Sequence, residues 1–174
     1  SEVAQLSQEM RAALDQESLS SYQRALALGN DIQALDDTNP IQIAFSAYAN
    51  AVLGTEYGVD GALNEAKKLL ERLPMEGNKI AYAQSARVQL LREEGQNSQV
   101  WEDWSPELKQ GGVDPWLVLE LYLAKFNLDP HADDTVSLRA RSSRSSRLST
   151  LSCRCFHSCT EPSTCASSLS LPNR

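Results

Sequence analysis

The first 152 residues of the chain contain no cysteine, and all four cysteines lie in the last 22 residues. No disulfide can therefore form within that first region. About 130 ordered residues would nevertheless bury roughly two thirds of the surface of the unfolded chain, which is enough for a stable core. We therefore expect the body of the protein to fold as one domain without covalent cross-links.

Histidine is almost as scarce, because the chain has only His131 and His157. Both follow the last predicted helix. The helical region therefore has no histidine with which to form a Ser-His-Asp or Cys-His catalytic centre. The sequence also lacks a phosphate-binding loop and the G-x-G-x-x-G and H-E-x-x-H motifs. We therefore predict that the protein is not an enzyme, with no catalytic residues and no cofactor.

Long hydrophobic runs are absent as well. The mean hydropathy is −0.39, and no apolar run approaches the ~18 residues needed to cross a bilayer. This predicts no membrane insertion. The chain begins at Ser1 without a methionine or a charged-then-apolar leader, and we predict a cytoplasmic location. A periplasmic or secreted location is the alternative, if a leader was removed before Ser1.

Basic residues are few in the body. Residues 1–134 carry 10 Lys/Arg and 22 Asp/Glu, a net charge of 10 − 22 = −12, whereas residues 135–174 carry six Arg and one Glu, 6 − 1 = +5. An acidic surface repels phosphate backbones and attracts basic peptides. We therefore predict no nucleic-acid partner and a protein or peptide partner with basic character. The alternative is that the acidity serves solubility alone.

The body does contain apolar residues at helical spacing. A first helix is predicted from Val3 to Leu14, and a second one is capped by Ser18 or Ser20 and ends near Leu35. Gly29 lies inside the second helix, where it predicts a close crossing with another helix. A third helix starts at Pro40, with Gly54 and Gly58 bracketing its end, and a fourth runs from an Asp60 cap to Pro74.

The remaining elements are less regular. A loop over 75–79 precedes a helix over 80–92, and Pro106 predicts that the segment 97–110 is broken into two helical pieces, the second capped by Ser105. Trp101 and Trp104 are interpreted either as core residues or as an exposed aromatic anchor for a partner. A last helix is predicted from Pro115 to Leu128.

One stretch is repeated. Residues 43–58 match residues 80–95 at an offset of 80 − 43 = 37, with six of sixteen positions identical. Three of the matched pairs, Ile43/Ile80, Ala49/Ala86 and Leu53/Leu90, are predicted core positions. Self-similarity at this period is typical of helical repeat arrays, in which each unit needs a neighbour to cover its apolar face. Two similar helices of a bundle are the alternative.

The spacing of 74 − 40 = 34 between Pro40 and Pro74, with Gly58 and Ala62 between them, resembles one tetratricopeptide repeat. The segments 22–28 and 122–130 also resemble the ending of that family's second helix. The resemblance implies an all-α fold, a right-handed stack of antiparallel helix pairs forming an α-solenoid over residues 1–130. In such a stack the first helices of the pairs line a concave groove.

The residues that vary between matched units are predicted to face this groove and to bind the partner: Tyr48, Val52, Tyr82, Ser85, Gln89 and Tyr122. Packing of Tyr48 and Tyr122 in the interior is the alternative. The expected function is that of a protein–protein interaction scaffold. The rival hypothesis is a structural or assembly module of a longer array, with self-association and no separate ligand.

Composition changes in residues 131–174, which are rich in Ser and Arg and are predicted to be disordered or non-native. The cluster Cys153, Cys155, His157 and Cys159 has poor spacing for a zinc site. The grouping Asp129, His131, Asp133 and Asp134 is explained by a helix end followed by an acidic linker. We predict no metal site.

Overall fold

The computed structural model describes residues 1–106 and 115–129, with only the backbone described for residues 115 and 116. This part of the chain forms α-helices and no strand, which confirms the all-α prediction. The helices are α1 (Glu2–Leu14), α2 (Leu19–Leu35), α3 (Pro40–Tyr57), α4 (Ala62–Arg72), α5 (Ala81–Glu93), α6 (Asn97–Trp104) and α7 (Pro115–Leu128).

Helices α1 and α2 are started by serine caps. Ser1 accepts a hydrogen bond from the backbone of Ala4, and Ser18 forms a reciprocal capping box with Ser21. Helix α2 continues through Gly29 without a break. A Cβ atom at Gly29 would lie 2.7 Å from Ser46 Oγ on α3 and 3.2 Å from Met10 Cε on α1. The close crossing predicted for Gly29 is therefore confirmed.

Helix α3 begins at Pro40. The N–H groups of a first helical turn have no intrahelical partner, so a proline at this position costs the helix no hydrogen bond. Asn39 caps it by accepting hydrogen bonds from the backbone N–H groups of Ile41 and Gln42, both at 3.1 Å. The helix ends at Gly58, which adopts the left-handed conformation with φ of 65°. Gly95, which matches Gly58 in the repeat, is also left-handed with φ of 78° at the end of α5.

Helix α3 is enclosed on all sides. Its residues from Gln42 to Leu53 are all buried, and it packs against α1, α2, α4 and α5. A helix without a polar face can only be stable where neighbours cover its whole circumference. Helix α3 therefore forms the centre of the large hydrophobic core that extends over α1 to α5.

The end of α3 lies between Gly54 and Gly58, as predicted. A Cβ atom at Gly54 would meet Leu63 of α4 at 2.5 Å, so this glycine serves close packing between the helices. One predicted feature of the α3–α4 connection is wrong. The cap of α4 is Gly61 instead of Asp60, and no side chain caps this helix. Gly61 has φ of 78°, a conformation that suits glycine far better than aspartate.

The second half of the described chain begins with a 3-10 helix at Met75–Lys79, where a loop was predicted. Helix α6 ends at Trp104, and a 3-10 turn at Ser105 and Pro106 follows. Helix α6 therefore ends before Pro106, as predicted, and Ser105 is its C-cap residue. The second predicted piece falls largely on residues 107–114, which lie outside the described residues.

Helix α7 has the predicted bounds. Val88 of α5 and Val100 of α6 form a second cluster with Leu117, Leu121 and Ala124 of α7. A third cluster lies on another side of α7. Trp104 packs against the second cluster and Trp101 against the third, and both side chains are only partly buried. Each tryptophan thus combines a core contact with an exposed edge.

The order of helix packing follows the chain. Helix α1 packs on α2, α2 on α3, α3 on α4 and α5, and α5 and α6 both pack on α7. Across residues 1–106 and 115–129, no helix combines the length and apolar character required to cross a bilayer. The predicted tail, residues 131–174, lies outside the described residues.

Candidate partner-binding surface

The six residues predicted to bind a partner lie on three helices. Tyr48 and Val52 belong to α3, Tyr82, Ser85 and Gln89 to α5, and Tyr122 to α7. All six are buried, with no more than 8% of any side chain exposed. The burial of Tyr48 and Tyr122 agrees with the alternative interpretation of these tyrosines as packing residues. Partner binding by the six residues stays a prediction.

Aromatic rings connect α5, α3 and α2. The ring of Tyr82 lies 4.6 Å from that of Phe45 and 5.0 Å from that of Tyr48, in both cases edge to face. Tyr48 in turn meets Tyr22 at 6.4 Å, and Tyr22 meets Tyr57 at 6.2 Å. Such geometries add about 0.5–1.5 kcal/mol per pair beyond the burial of surface. Tyr48 and Tyr82 of the predicted groove thus form one packed layer with Tyr22, Phe45 and Tyr57.

Two hydroxyl groups of this layer reach the turn between α1 and α2. The Tyr82 hydroxyl donates to Asp15 Oδ1 at 3.4 Å, and the Tyr57 hydroxyl donates to the backbone oxygen of Glu17 at 3.4 Å. Tyr82 therefore spans from α5, across α3, to the end of α1. This side chain links three helices that are distant in sequence.

A polar stripe runs along α5, formed by Ser85, Gln89 and Arg92. Spacings of four and three residues place the three side chains on one helix face. Thr55 of α3 donates to Gln89 Oε1 at 3.4 Å, and Arg92 pairs with Glu120 of α7. Within the described residues, Ser85 Oγ, Gln89 Nε2 and Arg92 Nε have no hydrogen-bond partner. Hereafter these three residues are called the α5 stripe.

The interior of α3 also carries polar residues, but they satisfy one another. Gln42 Nε2 donates to Ser46 Oγ and Asn50 Nδ2 donates to the backbone oxygen of Ser46, both at 3.0 Å. Buried polar groups are normally paired in this way, because an unpaired one costs about 1–3 kcal/mol. The α5 stripe departs from this rule.

The buried pair of Arg92 and Glu120 was not predicted from the sequence. Glu120 is fully buried, and the Arg92 side chain is 16% exposed. The available signal was a single carboxylate within the apolar run Trp116–Ala124, because a charge in such a run needs a partner wherever the helix is enclosed.

The described residues hold no group of three or more His, Cys, Asp or Glu side chains arranged to bind a metal ion. Asp129 is described and exposed, whereas His131, Asp133, Asp134 and the cysteine cluster at 153–159 lie outside the described residues.

No protein-family model matches this chain, and neither the curated proteins nor the solved structures compared with it give a significant match.

Proposed function

We propose that the protein is a helical-repeat scaffold that binds a protein or peptide segment along one face of α3, α5 and α7. In this proposal the chain forms a right-handed stack of antiparallel helix pairs that resembles tetratricopeptide repeats. Two patterns of helix packing support it. The first helices of successive pairs contact each other, α3 with α5 and α5 with α7. Each second helix packs on the first helix of its own pair, α4 on α3 and α6 on α5, and α6 also packs on α7.

The repeat offset of 37 also supports the proposal. Ala49 and Ala86 are fully buried, and Leu53 and Leu90 are 3% and 7% exposed. Both pairs have the same chemistry and similar burial, whereas in the third predicted core pair Ile43 is buried and Ile80 only partly so. Equivalent positions in neighbouring helices that differ in chemistry are the expected signature of a recognition surface.

The observation that carries the proposal is the α5 stripe. At the matched positions, Ser85 replaces Tyr48 and Gln89 replaces Val52, so α5 has polar groups where α3 has apolar ones. A purely structural helix would gain stability from apolar residues here, since the polar atoms are buried without partners. A bound segment that supplies the missing hydrogen bonds would explain why these residues are present.

The partner is proposed to be basic. Residues 1–61, which contain α1 to α3, carry nine acidic and two basic residues, 2 − 9 = −7, whereas residues 62–106 carry six basic and seven acidic residues, 6 − 7 = −1. A field of one sign accelerates encounter with a partner of opposite sign. The affinity is therefore expected to fall as salt is added.

The proposal is tested by selecting, from a displayed library of random short peptides, those that bind the full chain. We expect selected peptides to be enriched in Lys and Arg and to bind more weakly at high salt. A photoreactive phenylalanine analogue at Tyr82 should cross-link to a selected peptide, whereas the same analogue at Tyr57, which is 37% exposed, should not. Selection of no binding peptide, or cross-linking from Tyr57 alone, would reject the proposed function.

A second candidate is a structural module that assembles with itself and has no separate ligand. The burial of all six predicted binding residues favours it, because a helix face that is already covered has no need of a partner. Light scattering of the full chain separates the candidates. A molar mass that rises with concentration supports assembly, and a monomer at every concentration argues against it.

A further inference from the structure

The unpartnered atoms of the α5 stripe share one property, which is that each can donate a hydrogen bond. Gln89 Nε2 carries two N–H groups, Arg92 Nε carries one, and Ser85 Oγ carries an O–H group. Gln89 Oε1 already accepts from Thr55, so the amide nitrogen is the part of this side chain that still needs a partner. A ligand that completes the stripe must therefore present acceptor oxygens.

The charge of the stripe selects among acceptors. Arg92 is neutralised by the carboxylate of Glu120, and the surrounding chain is acidic, with 22 Asp/Glu and 10 Lys/Arg over residues 1–134. A carboxylate would be repelled by this field and would compete with Glu120 for Arg92. A neutral carbonyl oxygen meets the same donors without that penalty.

The spacing of the donors matches a peptide main chain. Ser85 and Gln89 are four residues apart, which corresponds to a rise of about 6 Å along α5. Carbonyl groups on one side of an extended chain recur at every second residue, a distance of about 6.6 Å. A helical partner would not serve, because its carbonyl groups are already used within the helix.

We infer that the α5 stripe binds the main-chain carbonyl groups of an extended peptide segment, with Ser85 and Gln89 donating to alternate carbonyls. The inference rests on the proposed function and adds the conformation of the partner and the atoms that are recognised. Ser85 and Gln89 are 0% and 1% exposed. Binding must therefore be accompanied by a local opening that exposes this face of α5.

The test uses the full chain and a peptide selected from the displayed library. Ser85→Ala removes the hydroxyl donor, and Gln89→Met removes the amide donor together with the oxygen that accepts from Thr55. Both substitutions keep the approximate volume of the side chain. Each is expected to weaken binding about tenfold, the value of one hydrogen bond in a buried site. Gln84→Met, the same substitution at a partly buried position on another face of α5, is the matched control and should bind normally.

The peptide is varied in parallel. Replacing single amides by esters weakens the carbonyl acceptor, and the loss should recur at alternate positions and vanish in the Ser85→Ala or Gln89→Met chain. Two results would overturn the inference while leaving the proposed function intact: unchanged affinity of both variants, or a bound peptide that is helical by circular dichroism. A fall in Tm that accompanies the affinity loss in both variants would also overturn it, because the donors would then serve the fold.

Discussion

Gly29 shows how a single hydrogen atom in place of a side chain decides the distance between α2 and α3. Alanine is favoured over glycine inside a helix by about 1 kcal/mol. Here, however, the added Cβ would lie 2.7 Å from Ser46 Oγ. Moving Ser46 would take away the acceptor of Gln42 Nε2, and overpacking of a core costs about 1–3 kcal/mol.

We therefore predict that Gly29→Ala lowers the free energy of unfolding by about 1 kcal/mol, the overpacking cost exceeding the gain in helix propensity. Urea unfolding followed by circular dichroism measures the change. The double variant Gly29→Ala with Ser46→Ala should lose less than the sum of the two single losses, because the nearest atom is gone. A Gly29→Ala chain as stable as the original would show that the crossing is looser than the distances indicate.

At the scale of single helices, the stability of α3 depends on the cap at its first turn. Asn39 Oδ1 accepts two backbone hydrogen bonds, and the enclosed helix that follows has no access to water for much of its length. Asn39→Ala is expected to cost about 1 kcal/mol of unfolding free energy. Asn39→Ser should recover most of it, since serine is a comparable cap. Equal losses for both substitutions in urea unfolding would mean that the cap is not the source of the effect.

The contact between α5 and α7 contains a buried ion pair, and removing one partner leaves the other charge without compensation. Glu120→Gln or Arg92→Met is expected to cost about 3 kcal/mol, at the lower end for broken buried pairs because Arg92 is partly exposed. The double variant Arg92→Met with Glu120→Gln should lose less than the sum of the two single losses. Additive losses in the thermodynamic cycle would contradict a direct interaction between the two side chains.

The sequence predicts the helices well because their signals are local. Pro40 and Pro115 fix the first turns of α3 and α7, and Gly58 supplies the left-handed residue that ends α3. The exchange of Asp60 for Gly61 as the cap of α4 was missed, since both residues are compatible with a turn and only the backbone angles separate them.

The candidate site is harder to predict, because burial depends on helices that are distant in sequence. The spacing of Tyr48 and Val52 shows that they share one face of α3, yet it does not show that Tyr82, 34 residues further on, lies against Tyr48. The apolar run from Ile41 to Leu53 did carry a usable signal. It lacks a polar face, which is typical of a helix enclosed by neighbours, and the burial of Tyr48 and Val52 follows from that enclosure.

At the scale of the whole molecule, stability is expected to be unevenly distributed. One large core joins α1 to α5, whereas α6 and α7 contribute to two smaller clusters. Elements with fewer buried contacts open without unfolding the rest of a protein. Native-state hydrogen exchange should therefore give amides of α3 the highest opening free energy and amides of α6 and α7 a lower one.

The Glu120→Gln variant makes this expectation specific to the order of helix packing. Because α7 packs mainly against α5 and α6, the loss of its ion pair should lower the opening free energy in α6 and α7 by about 3 kcal/mol. Some amides of α3 can exchange through a local opening in which α7 stays folded. For those amides the opening free energy should stay unchanged. Asn39→Ala weakens α3 in the large core instead of α7, and it should reduce the protection of amides in α3 and its neighbours. Equal reductions over all helices in both variants would mean that the molecule unfolds as a single unit, and a stack of semi-independent helix pairs would be ruled out.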